Sequence, residues 1–216
     1  CYKADKIRDR VYPGQLREVK KALYLCLHAI NALEAIRFYA SFVNTFNFFE
    51  NMKIMEGNTK IMQFIARDEN LHHQGTRYII NQLQSGVDGT DWLEIVDECK
   101  EEAEQIFNEA IIQEKDWVSY VYSKVEPPGL SIKLMHDFID YISVPSMRKV
   151  GLDTNIVPPK KHPIPWVNKF FVTAATQVAK QETEVTSYLI SAIDNDVDDD
   201  IIAKFRDKYL KSQLQK

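Results

Sequence analysis

The chain is poor in the residues that break helices or staple small folds. It has seven Gly, eight Pro and three Cys in 216 residues. Three cysteines, Cys1, Cys26 and Cys99, are too few and too scattered for a disulfide framework or a zinc ribbon. Cys26 lies in an apolar helical segment and reads as a buried free thiol. Positive charge is also short, with 27 Lys+Arg against 31 Asp+Glu, and a net charge of -4 argues against a general nucleic-acid binder. No apolar run approaches the ~18–20 residues that span a bilayer, and no signal-peptide pattern opens the chain. These absences predict a cytoplasmic protein with no membrane and no nucleic-acid partner. Cys1 in place of an initiator Met is what an excised or processed piece of a longer chain would show, and a cloning boundary would look the same.

What is present is long helical periodicity. A first helix is predicted from Gln15 to Met52, with the stripe Leu16, Val19, Leu23, Leu27, Ile30, Glu34, Phe38, Phe42, Phe46, Phe49. A second spans Asn58 to Gln84 and stops at Ser85-Gly86. A third starts at Thr90, a suitable N-cap, and runs to Ser123 before Glu126-Pro127-Pro128-Gly129. A fourth covers Ser131 to Val150, with a possible break at Pro145. The segment 157–165 is too rich in proline for helix or central strand, and 166–175 reads as a short helix. From Gln177 onward the chain is polar and reads as a flexible tail, so the expected division is a helical bundle over 1–176 and a tail over 177–216. Four long helices joined by short turns, with no alternating strand pattern, make the fold class all-α.

The chemistry is concentrated in Glu69-Asn70-Leu71-His72. Glu69 and His72 fall on the apolar stripe of the second helix, Met62, Ile65, Glu69, His72, Thr76, Ile79, Leu83. A carboxylate and an imidazole facing a dry interior are costly unless a metal or a hydrogen-bond partner compensates them. Glu-x-x-His is also the half-site that dinuclear carboxylate-bridged bundles project from each of two helices. This chain has one such motif, since no other histidine follows a Glu by three positions. Glu34 lies on the stripe of the first helix and completes an oxygen-rich set with one imidazole, which suits iron or manganese better than structural zinc. A hydrogen-bonded core His and a Glu paired with Arg37 are the alternatives. His73 is predicted to lie on the surface.

Other candidates carry less. Asp194, Asp196 and Asp198 open like an EF-hand, but Asp199 holds the position that needs Gly and Phe205 the one that needs a bidentate Glu. A solvated acidic tail explains them. Trp92, Trp117 and Trp166 are expected in or beside the core. Tyr188 is an aromatic in the predicted tail, where it has no core to join.

The chain resembles the small, radical-generating subunit of class I ribonucleotide reductase of the enteric and phage type. The strings that carry the resemblance are KKALYLCL (20–27), NALEAIRFY (31–39), MEGNTKI (55–61), IARDENLH (65–72), QEKDW (113–117), PIPWVN (163–168) and EVTSYL (184–189). It implies a ferritin-like helical bundle, present here without its N-terminal ligand-bearing helices. It implies that Glu34, Glu69 and His72 ligate a dinuclear iron centre, and that Phe38, Phe42 and Ile65 line the apolar pocket of a tyrosyl radical. Asp68 would link the centre to the radical-transfer route, Tyr188 would pass the radical to the large subunit, and Glu182 would assist its proton transfer. The implied partners are the large subunit through the tail, the N-terminal half of the small subunit, and a second copy of the complete small subunit. In the family the remaining ligands and the radical tyrosine lie on earlier helices, which this chain does not include. The chain end also departs from the family, because the acidic stretch is followed by a longer basic segment from Ile201 to Lys216. Iron storage or peroxide scavenging on the same fold, and a helical interaction module without metal, are the competing readings.

Overall fold

In the computed structural model, residues 13–171 are described. Helix α1 (Pro13–Ala32) passes through a π turn (Leu33–Arg37) into α2 (Phe38–Met52). Then come α3 (Glu56–Gln84), α4 (Asp91–Val121) and α5 (Ile132–Lys149), followed by a 3₁₀ turn (Pro165–Val167) and the short α6 (Asn168–Phe171). The described residues include no strand.

The helix ends follow local chemistry. Lys53 takes a left-handed conformation (φ 57°) and donates its backbone N–H to the carbonyls of Phe48 and Phe49, which closes α2. Ser131 starts α5, its hydroxyl accepting the backbone N–H of Leu134 at 3.2 Å. Thr90, expected to cap α4, stands in a right-handed helical conformation and makes no side-chain cap. Asp91 beside it pairs instead with Lys20 of α1. Pro145 does not break α5. Val144 and Met147 on either side are fully buried, and their packing offsets the single backbone hydrogen bond that proline forgoes.

Core packing shows why α1 sits as it does. Tyr24, His28, Asn31, Ala32, Ala35, Ile36, Ala40 and Val43 are all buried, and they trace one face through the π turn into α2. Opposite them in the core are Ile95, Cys99, Ala103, Phe107 and Ala110 of α4 and Met135, Phe138 and Ile139 of α5. Arg17 pairs with Glu94 at 3.2 Å and with Glu98, and Lys21 reaches Glu98 at 2.7 Å, so a row of ions registers α1 on α4. Such pairs contribute little energy individually. They do fix which face of α1 turns inward. Farther along, Phe42, Phe46 and Phe170 form a run of rings, with Phe46 and Phe170 stacked at 4.7 Å.

The stripe predicted as the core face of the first helix is therefore an outer one at its N-terminal end, whereas Phe42 and Phe46 farther along it are buried as expected. Leu16, Val19 and Leu23 are 41%, 58% and 49% exposed. Cys26, on the same side, is exposed rather than buried, while Cys99 is the buried thiol. A second set of residues at helical spacing, led by Tyr24 and His28, takes the interior because the basic side chains beside it meet the acidic side of α4. Trp92 is buried as expected, but Trp117 on α4 is exposed. Residues 177–216 lie outside the described residues, and with them the predicted tail, the acidic cluster, Glu182 and Tyr188.

Candidate metal centre

Two pieces of helix build the site. The π turn carries Glu34, and the middle of α3 carries Glu69 and His72. One ligand atom from each of the three side chains lies within 4.8 Å of the others. His72 Nδ1 is 3.4 Å from Glu69 Oε2 and 3.7 Å from Glu34 Oε1. Donors around one iron-sized ion stand ~3–4 Å apart when each bond is ~2.1 Å. The two distances from His72 Nδ1 fall in that range.

The π turn explains how Glu34 reaches the group. On α1 and α2 the buried residues run Tyr24, His28, Ala32, Ile36, Ala40 in steps of four. Each such step carries a stripe about 40° round an α-helix, so an unbroken helix would swing this face off the core. One wide turn takes back much of that rotation and leaves Glu34 at the edge of the core. Single π turns inside helices occur frequently at functional sites.

Electrostatics favour an ion here. Glu34 Oε2 is buried with no hydrogen-bond partner. Burial raises the Glu34 pKa, and the Glu69 carboxylate adds to this, while the His72 imidazole and the Thr76 hydroxyl pull the other way. A buried carboxylate oxygen without a partner is costly, and a cation is the partner that suits it. Two carboxylates and one imidazole form a donor set appropriate to iron or manganese.

The structure reverses one pair of expectations. His73, predicted at the surface, is 8% exposed, whereas the His72 side chain is 59% exposed. The buried face of α3 is Glu56, Thr59, Ala66, His73, Ile80 and Leu83, so that Leu83 of the predicted stripe is buried while Ile65, His72 and Ile79 are exposed. Glu69 and His72 thus stand on an open side of the bundle, flanked by exposed Ile61, Ile65 and Ile79. The residues assigned to the radical pocket differ in setting. Phe42 is buried and packs on half-buried Phe38 with ring centres 6.2 Å apart, while Ile65 is 38% exposed. Asp68 points outward, with Arg67 Nε 3.4 Å from its carboxylate.

Several buried polar residues escaped the sequence reading. Asn31 is buried, and its amide donates to the His73 carbonyl at 3.1 Å and to Thr76 Oγ1 at 2.7 Å, tying α1 to the helix of Glu69 and His72. Glu114 of α4 is buried as well, and burial pushes its pKa up to about 7 against the pull of Arg37. The signal for Asn31 was the four-residue spacing of Tyr24, His28 and Ala32, with which it shares a face. Glu114 was marked in the same way, since it stands four residues from Ala110 and Val118 on the buried face of α4.

Comparison with known proteins agrees with this geometry. The family model described as "Ribonucleotide reductase, small chain" matches residues 2–155. The ribonucleoside-diphosphate reductase subunit beta of Enterobacteria phage T4 is 54% identical over 191 residues, which are 88% of this chain and 49% of that protein. The ribonucleoside-diphosphate reductase 1 subunit beta of Escherichia coli O157:H7 is 47% identical over 200 residues, 93% of this chain and 53% of its own. The chain thus spans about half the length of these curated relatives. Among solved structures, the ribonucleotide reductase R2 subunit from Clostridium botulinum superposes with a TM-score of 0.59 at 24% identity, over 77% of this chain and 49% of that one, and shows the shared ferritin-like fold. The chain belongs to the ribonucleotide reductase small-chain family.

Proposed function

We propose that this chain is the C-terminal part of a ribonucleotide reductase small subunit and contributes one side of its dinuclear iron centre. The observation that carries the reading is the convergence of Glu34, Glu69 and His72, with Glu34 Oε2 buried and unpartnered. When bound, a centre of this kind supplies the oxidation of a tyrosine by dioxygen. The part played by this chain is to hold the ligands, exclude water and provide a way out for the radical. Glu34, Glu69 and His72 hold the metal. Phe38, Phe42 and Ile65 shield the radical pocket, Ile65 doing so once the open side is covered. Asp68 hands the hole on toward Tyr188, which delivers it to the large subunit with Glu182 taking up the proton. The relatives are named ribonucleoside-diphosphate reductases, which supports nucleoside diphosphates as the substrate class. The partners are the N-terminal half of the small subunit, which covers the open side, a second copy of the completed subunit, and the large subunit. No described helix is long and apolar enough to cross a membrane, and the work is assigned to the cytoplasm.

Iron storage or peroxide scavenging, the rival on the same fold, is displaced by the family match over residues 2–155. The test is reconstitution. Co-expression with a polypeptide carrying the other ligand helices should give about two irons per assembled unit and a tyrosyl radical signal. An assembled pair that bound no iron with Glu69 and His72 intact would sink the reading and leave a helical interaction module. Tyr188→Phe should keep iron and radical but lose turnover with the large subunit.

A further inference from the structure

A π turn is a rare departure that occurs mostly as a single turn inside an α-helix, so contacts outside the helix are needed to hold it. The turn Leu33–Arg37 is bracketed by two such contacts. On its N-terminal side, Asn31 is bonded to the His73 carbonyl and the Thr76 hydroxyl of α3. On its C-terminal side, Arg37 Nη2 donates to Gln113 Oε1 of α4 at 2.6 Å. The Arg37 charge also acts on the buried Glu114 carboxyl next along α4. Between the brackets, Ala35 and Ile36 are buried in the core and Glu34 projects toward His72.

We infer that Arg37 and Gln113 form a clamp that holds the π turn and so sets the position of the Glu34 carboxylate. Arg37 bonds Gln113 and acts through the backbone of the turn, which makes it a positioning residue. The Asn31 contact alone fixes the entry to the turn, since it lies before Leu33. Without the Arg37 contact, the exit is free to rewind toward α geometry. Rewinding displaces Glu34 from the face shared with Glu69 and His72 by a large part of the ~100° that separates successive helical residues. The clamp also places the metal ligand under the control of α4, a helix that supplies no ligand in this cluster.

This inference rests on the metal reading for its consequence but not for its geometry, and the test separates the two. Gln113 is exposed, so Gln113→Ala removes the acceptor without opening the core. Amide hydrogen exchange on the full chain without metal should show residues 33–38 exchanging about fivefold faster in Gln113→Ala and in Arg37→Ala, the loss expected of one hydrogen bond. The double variant should be no worse than the more severe single one, because both remove the same contact. Gln113→Glu, which keeps an acceptor oxygen, should restore wild-type exchange. Lys100→Ala, which cuts the Lys100–Asp153 pair elsewhere on α4, should leave 33–38 unchanged. Co²⁺ titration should then show a parallel loss of about fivefold in affinity for the two single variants. Wild-type exchange in Gln113→Ala, additive losses in the double variant, or failure of Gln113→Glu to restore protection would each overturn the clamp. If Arg37→Ala unfolds the chain, Gln113→Ala and Gln113→Glu still decide. Should the wild type bind Co²⁺ no better than Glu34→Ala, the metal reading fails, while the exchange data still judge the clamp.

Discussion

Glu34 Oε1 and His72 Nδ1 lie 3.7 Å apart, one on a π turn and the other on the long helix α3, and the second oxygen of Glu34 is buried without a partner. An oxygen so placed costs stability in the metal-free chain and is useful only when a cation arrives. Glu34→Leu should therefore raise the stability of the chain without metal by about 1–2 kcal/mol while abolishing metal uptake. Urea unfolding with and without added Mn²⁺ checks both halves. A less stable Glu34→Leu would show that the carboxylate already has a compensating partner in the metal-free chain.

That site was legible in part. The Glu69 and His72 spacing and the placement of Glu34 on a neighbouring helix were readable because a carboxylate at an apolar position is conspicuous. The burial of the two histidines was not. Helix α3 carries two sets of residues at helical spacing, Ile65, Glu69, His72, Ile79 and Ala66, His73, Ile80, which run one residue apart until both reach Leu83. Periodicity cannot decide which one faces the core when both are partly apolar. On α1 the same ambiguity hid the inward face of Tyr24 and His28 behind the more apolar Leu16, Val19 and Leu23. The π turn also left no separate mark, because steps of four occur in ordinary helices. Helix number and approximate bounds were readable from the placement of Gly and Pro, and Ser131, read only as the start of the fourth helix, is its N-cap. Thr90 failed as a cap for want of an extended backbone.

His28 offers a test of burial by pH. Its side chain is wholly buried between Tyr24 and Phe107, neither ring nitrogen has a hydrogen-bond partner, and burial lowers its pKa to about 4. The unfolded chain, with an ordinary imidazole near 6.5, binds a proton that the folded chain refuses between those values. Stability should be full above pH 6.5 and decline as pH falls toward 4, by on the order of 3 kcal/mol from this group. His28→Phe should remove about half of the slope in that window, since burial lowers the His73 imidazole to about 4 as well. An unchanged slope in urea midpoints between pH 4.5 and 7 would mean that His28 is not the group responsible.

Glu114 should act in the opposite direction. Its folded pKa of about 7 stands above the ordinary 4.5, so the folded chain binds a proton more readily than the unfolded one in that window. Its contribution is fully present below pH 4.5 and is lost as pH rises through 7. Glu114→Gln, uncharged at every pH, should gain stability relative to wild type as pH climbs from 5 to 8. The comparison is a pair of thermal melts at those two values. Equal differences between the proteins at both would show that Glu114 is ionised throughout, held so by Arg37.

The open side makes the last prediction. Leu16, Val19 and Leu23 on α1 and Ile61, Ile65 and Ile79 on α3 are all more than a third exposed, and the latter three share a helix with Glu69 and His72. Apolar area on this scale draws chains together in water. The chain alone should self-associate, and Val19→Ser with Leu23→Gln should lower its weight-average mass in sedimentation at equal concentration. Because both side chains are about half exposed, folding stability should change by no more than about 0.5 kcal/mol per site. The double variant should in turn weaken capture of a polypeptide bearing the N-terminal ligand helices, the partner proposed to cover exposed apolar side chains of this chain. Self-association that persisted unchanged, with normal capture, would place the sticky surface elsewhere and leave the covering of His72 to α3 alone.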